Sequence, residues 1–192
     1  MKKIVLAITG ASGSIYGIKL MEALLAANHQ VHLVVSSQGE KVVQYELESL
    51  ENILGQYIDK DLIYHDNADL FSSIASGSFK TDGMIIAPCS MGTLGKIAYG
   101  ISDSLLTRVS DVCIKEGRPL IMVTRETPLS PIHLENMLKL SRLGCTIFPP
   151  VPAFYTHPES LDTVIDQTVA RILSLLDIQH PSYTSWGESY DQ

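Results

Sequence analysis

Ile4-Val5-Leu6-Ala7-Ile8-Thr9 runs straight into Gly10-Ala11-Ser12-Gly13, and this junction decides the fold class. A near-continuous apolar run suits a parallel strand covered on both faces, because neither face meets water. The small residues behind it make a tight turn into whatever follows. The same order returns at Val31 to Val35 before Ser36-Ser37, and at Gly83 to Ala87, a strand stopped by Pro88, before Ser90-Met91-Gly92-Thr93. It returns again at Leu120 to Thr124 before Arg125-Glu126. In an open parallel sheet the carboxyl ends of the strands lie along one edge, so four such clusters point to one ligand crevice.

Helical spacing fills the gaps between these strands. Ile18, Met21, Leu24 and Leu25 predict a helix from Ser14 to the stop at Asn28-His29, and another begins near Gln38. Further helices are expected through Leu94, Ile97 and Ala98 to Gly100, over Ser104 to Lys115, over Ile132 to Leu143, and over Ser160 to Leu176. Thr146 to Phe148 makes a short strand cut off by Pro149-Pro150. The apolar residues of Glu48 to Ser78 are irregular, and Asp66-Asn67-Ala68-Asp69 resembles a loop. This alternation implies a doubly wound, Rossmann-like α/β sandwich around a parallel sheet: a single domain over residues 1–178, with a polar tail over 179–192.

Composition narrows the function classes. A chain of 192 residues buries a core without disulfide or metal staples. Its formal charge of -7 and the absence of a basic stripe argue against nucleic acid as a partner. A phosphate-bearing small molecule needs only a few local donors and stays open. Cys89, Cys113 and Cys145 are widely spaced with no Cys-x-x-Cys pair, which suits a reduced, cytoplasmic protein. No apolar run approaches the roughly 18 residues of a membrane span, and Met1-Lys2-Lys3 leads into a buried strand rather than a cleaved leader.

The strand-end clusters carry the chemistry. Gly10, Gly13 and Gly17 do not form Gly-x-Gly-x-x-Gly, and the nucleotide-triphosphatase motif is missing. The glycine-rich turn either serves only the backbone or offers N–H groups to a phosphate or to the polar edge of a flavin. Ser90 and Thr93, one helical turn apart, either cap a helix or hold an anion. Cys89 reads as a small packed residue and His133 as structural. Arg125-Glu126 follows a strongly apolar strand, where two charges need either a polar ligand or each other. Arginine suits phosphate, and a carboxylic acid can move a proton. The six histidines form no metal-ligand pattern.

Taken in order, Gly10 to Gly17, Ser76-Gly77-Ser78-Phe79, Ala87-Pro88-Cys89-Ser90, Arg125-Glu126-Thr127-Pro128, His133 to Met137 and Pro152-Ala153-Phe154-Tyr155 resemble the UbiX-type flavin prenyltransferases across nearly the whole chain. The resemblance implies a flavodoxin-like Rossmann sandwich, without a metal, that binds reduced FMN. It implies transfer of a dimethylallyl group from dimethylallyl monophosphate to N5 and C6 of the flavin, yielding prenylated FMN for UbiD-type decarboxylases. By resemblance, FMN contacts fall on Gly10, Ala11, Ser12, Ser36, the segment Ser90, Met91, Gly92 and Thr93, and Arg125. Prenyl-phosphate contacts fall on Tyr155 and Arg171, with Lys115 adding charge, and the chemistry on Ser12, Glu46 and Glu126. A homododecamer with sites between subunits is implied too, so that Arg108 or Trp186 serves a neighbour. The resemblance also implies an aromatic roof over the flavin in the Glu48 to Ser78 stretch, where this chain offers Phe71 or Leu70 instead.

Two rivals remain on sequence. A flavin-dependent cysteine decarboxylase of the same fold carries Pro-Ala-Ser-Ala-Asn-Thr and an activating histidine, where this chain has Ala87-Pro88-Cys89-Ser90-Met91-Gly92-Thr93 and Tyr16. An accessory subunit of an aromatic-acid decarboxylase would bind FMN yet ignore the prenyl donor.

Overall fold

A computed structural model describes residues 1–187. Residues 188–192 of the expected tail lie outside them. The chain forms two compact units, the first spanning Met1–Pro149 and the second beginning at Pro150.

The first unit is built on six parallel strands: β1 (Lys3–Ile8), β2 (Gln30–Val35), β3 (Leu62–His65), β4 (Gly83–Cys89), β5 (Leu120–Thr124) and β6 (Thr146–Ile147). Their spatial order is β3-β2-β1-β4-β5-β6, so the winding reverses between β1 and β4. Ligands in open α/β sheets bind at that switch point, outside the carboxyl ends of the strands. Helices α1 (Ser14–Ala26), α2 (Ser37–Glu46), α3 (Leu50–Gly55), α4 (Met91–Ala98), α5 (Leu105–Lys115) and α6 (Pro131–Arg142) connect the strands. In the second unit, α7 spans Leu161–Ser174 and is capped by Ser160.

Every residue of β4 and of β5 is buried, as two covered faces demand. Gly17 shows how tightly a helix lies on the sheet: a Cβ there would stand 2.3 Å from the carbonyl oxygen of Ala87 and 2.8 Å from Ile8 Cγ1. Side chains from β1, β4, β5, α4 and α5 share one apolar cluster, into which Met91 and Cys89 also pack.

Two sequence expectations change. Pro88 does not stop the fourth strand, which continues to Cys89 with a register shift against β5 between Ile86 and Cys89. A proline is tolerated at such an irregularity because no ladder hydrogen bond is required of it. Its carbonyl instead accepts from the Thr9 N–H (3.2 Å) and hydroxyl (2.7 Å), and the Ser90 N–H donates to Thr9 Oγ1 (2.8 Å). Thr9 thereby ties the ends of β1 and β4 together.

The irregular stretch from Glu48 to Ser78 contains α3, the edge strand β3 and a 3-10 turn at Ser73–Ala75. A chain of side chains fastens it. His32 on β2 lies 3.2 Å from Gln30 Oε1 through Nε2, and its Nδ1 lies 2.9 Å from His65 Nε2; His65 Nδ1 lies 2.8 Å from Ser72 Oγ. The amide oxygen of Gln30 requires a proton on His32 Nε2, so His32 Nδ1 accepts from His65 and Ser72 donates to His65, with both rings neutral. Burial, and then the neighbouring His65 and Lys3, push His32 down to about 4 against the pull of Asp61. Burial also lowers His65, opposed by Asp69.

Candidate active site

Helices α1, α2, α4 and α5 all start at the carboxyl edge of the sheet, and a helix start offers N–H groups and positive potential to an anion. Two of these starts are closed. At α1 the N-cap is Gly13, which has no capping side chain, and Glu46 takes its place from the end of α2. The Glu46 carboxylate accepts from Gly13 N (3.0 Å), Ser14 N (2.9 Å) and Ser14 Oγ (2.7 Å). Burial would raise its pKa, but hydrogen bonds from the Ser12 and Ser14 hydroxyls and from the two backbone groups outweigh it, and the net shift is downward. The first glycine-rich loop therefore offers no phosphate seat at the α1 start, because a carboxylate of the chain already sits there. At α5 the Leu105 N–H donates to the Asn67 carbonyl (2.8 Å) and the Leu106 N–H to Asn67 Oδ1 (3.0 Å).

The other two starts are open and adjacent. Ser36 caps α2 through Gly39 N, and Ser90 caps α4 through Thr93 N. Both serines are thus caps, yet the first-turn N–H groups of Ser37, Gln38, Met91 and Gly92 meet no acceptor among the described residues. Between them lies a cleft of about 270 Å³ lined by Gly10, Ser36, Gln38, Ser90, Gly92 and Thr93, with Lys96, Ser104, Leu106 and Thr107 closing it from α4 and α5. A Cβ at Gly10 would come within 2.6 Å of Gln38 Cβ, so only glycine lets the α2 start come this close to the end of β1. Five hydroxyls, open N–H groups and one ammonium make this cleft a seat for a phosphate-bearing ligand.

Beside it, Cys89 pairs with Thr124, so Ser90 and Arg125 leave the sheet side by side. Arg125 and Glu126 are both exposed. They do not pair with each other: Glu126 Oε1 accepts from the Thr127 N–H at 3.1 Å. The Thr124 hydroxyl, behind them, is buried without a hydrogen-bond partner.

The structure therefore brings together Gly10, Ser36, Ser90, Gly92 and Thr93 on the cleft, and Ser12 with Glu46 at its α1 side. Ala11 is buried in the same loop. The Met91 side chain belongs to the core, which leaves its backbone N–H to face a ligand. Lys115 is not on the cleft, because it ends α5, about 15 Å of helix from the α5 start, where it pairs with Glu116. Arg108 is engaged within the chain, with Nε donating to the Ala75 carbonyl (3.1 Å) and Nη1 pairing with Asp111 (2.7 Å).

In the second unit, Tyr155 packs edge-on against Trp186 at 5.0 Å between ring centroids. There Arg171 donates to Ser174 Oγ (2.9 Å) and lines a cavity of about 560 Å³ with Asp177, His180 and Tyr183. Phe71 is fully exposed. Gln38, Lys96, Ser104 and Thr107 escaped sequence reasoning, although the capping pair Ser104-x-x-Thr107 was a readable helix-start signal. Among the described residues no cluster of three or more His, Cys, Asp or Glu side chains could hold a metal ion, and no helix is long and apolar enough to cross a membrane.

Fold and cleft together define an α/β protein with a cleft lined by hydroxyls and open N–H groups at a sheet switch point. The Flavoprotein family model matches residues 1–182. A flavin prenyltransferase UbiX of Halalkalibacterium halodurans is 46% identical over 191 residues, covering 96% of this chain and 93% of that protein. Among solved structures, AnUbiX (PadA1) in complex with FMN and dimethylallyl pyrophosphate superposes with a TM-score of 0.92 at 44% identity, covering 97% of each chain. A dodecameric FMN-dependent UbiX-like decarboxylase from Escherichia coli O157:H7 gives a TM-score of 0.90 at 44% identity, over 96% of this chain and 98% of that one. The chain belongs to the UbiX-type flavin prenyltransferase family.

Proposed function

We propose that this protein is a flavin prenyltransferase that moves a dimethylallyl group from dimethylallyl monophosphate to N5 and C6 of reduced FMN, supplying prenylated FMN to a UbiD-type decarboxylase. One observation carries the reading: the open helix starts, Gly10, Ser36, Ser90 and Thr93 meet on one cleft in a chain that shares 46% of its residues with a named flavin prenyltransferase. Residues 1–178 act as the flavoprotein domain and 179–192 as its tail.

Reduced FMN, when bound, supplies an electron-rich nitrogen as the nucleophile. The α2 and α4 starts and their serines hold its phosphate, Gly10 and Ala11 shape the floor, and Arg125 contacts the flavin from the end of β5. Ser12 and Glu46, already hydrogen-bonded, hold a proton-accepting carboxylate at the α1 side. Glu126 donates a proton to the departing phosphate, and the second unit offers Tyr155 and Arg171 as prenyl-phosphate contacts. Lys115 and Arg108, away from their own cleft, serve a neighbouring subunit's site in a homododecamer. The test is Glu126→Gln: FMN binding should persist while anaerobic prenyl transfer falls about 100-fold or more. Unchanged turnover would remove Glu126 from this role.

A further inference from the structure

Among the described residues that line the cleft, one carries a charge, and it belongs to none of the motifs that identify the family. Lys96 follows Ser90 and Thr93 at successive turns of α4, so the three share a face. Its Nζ lies 2.7 Å from Asp103 Oδ2, just before the start of α5, and both side chains are about half exposed. The carboxyl of Asp103 is held low mainly by this lysine, with the Thr107 hydroxyl assisting.

A phosphate monoester carries about -1.5 to -2 at neutral pH. Against this, two open helix starts supply roughly half a positive charge each. The α1 and α5 starts contribute nothing further, because Glu46 and Asn67 occupy them. Hydroxyls add hydrogen bonds but no charge, so a deficit of about half a unit to one unit remains. Lys96 is the charged group on the cleft wall that can meet it, since Asp103 takes one of the three N–H groups of its ammonium and leaves two for a ligand.

We propose that Lys96 is the phosphate-recognising cation of the cleft and makes this protein select a phosphorylated flavin over the same flavin without its phosphate. Asp103 is its positioning partner. The inference rests on the flavin reading given above and adds a specificity determinant to it.

The experiment titrates the full-length protein with FMN and, separately, with riboflavin, following flavin fluorescence, for the wild type, Lys96→Met and Lys96→Arg. Lys96→Met should weaken FMN binding about tenfold, the size of one charge-assisted hydrogen bond partly open to water. Riboflavin binding should not change, and Lys96→Arg should recover most of the loss for FMN. Thermal melting reports whether each variant folds, and the arginine variant keeps the question answerable if the methionine variant does not. The proposal is overturned if the wild type binds both flavins equally, or if Lys96→Met leaves FMN binding intact or weakens both flavins alike. A wild type that binds neither flavin would instead overturn the flavin reading itself.

Discussion

Replacing Glu46 with glutamine separates the two jobs its carboxylate can perform. Its oxygens accept from Gly13 N, Ser14 N and Ser14 Oγ, so it acts as the missing N-cap of α1, delivered from the end of α2. In Glu46→Gln one oxygen remains, while the new NH2 group faces N–H donors it cannot satisfy. Losing a cap costs about 1 kcal/mol, and losing a negative charge from a helix start adds about 0.3–1 kcal/mol. The expected loss is about 1–2 kcal/mol, or a fall in Tm of about 2–8 °C for a chain of this length. The pH dependence has a definite sign. Because the folded carboxyl is held below its ordinary 4.5, the wild-type advantage is complete above about that value and disappears as pH falls through the lower folded pKa. Thermal melts of both proteins at neutral and acid pH, with FMN titrations beside them, check this. FMN should bind more weakly to the variant, since the Gly10 to Gly13 loop loses its anchor. An unchanged Tm and unchanged FMN affinity, with transfer abolished, would refute the capping argument and leave Glu46 purely chemical.

Gly17→Ala should destabilise by about 3 kcal/mol or more, because the added Cβ would meet the Ala87 carbonyl oxygen at 2.3 Å and neither the helix nor the buried strand can yield freely; urea unfolding measures it. Unfolding on acidification should begin with the histidine pair. His32 rests near 4 in the fold against 6.5 when unfolded, so its contribution is full above about 6.5 and is lost as pH falls towards 4, by up to about 3 kcal/mol. His32→Leu should flatten the dependence of urea midpoints on pH over that window, and an unchanged slope would show that other groups control it. Cys89, Cys113 and Cys145 are buried, and burial pushes their thiols up to about 12, 12 and 11. A chromogenic disulfide reagent at about pH 8 should therefore leave the native protein unlabelled and react after denaturation; a fast-reacting thiol in the native state would contradict that.

The central sheet was legible because β1, β2, β4 and β5 are buried over nearly all their length and so leave apolar runs. The edge strand β3 was not, since Leu62-Ile63-Tyr64-His65 is half exposed and shows neither a run nor a clean alternation. Pro88 misled for a related reason: a ring without an N–H ends most strands, but the register shift beside it removes the need for that donor. The strand-end clusters marked the cleft because topology alone collects them. Lys96, Ser104 and Thr107 join it only through the packing of α4 and α5, which no local pattern announces. Glu46 reaches Gly13 across 33 residues, and Asn67 reaches Leu106 across 39. Which helix starts are open to a ligand was therefore a tertiary fact from the outset.

Anaerobic incubation of the purified protein with reduced FMN and dimethylallyl monophosphate, followed by mass spectrometry of the released flavin, tests the central claim most directly. The account predicts FMN enlarged by one five-carbon unit and the release of inorganic phosphate. FMN recovered unmodified from protein that had bound it tightly would contradict the prenyltransferase reading.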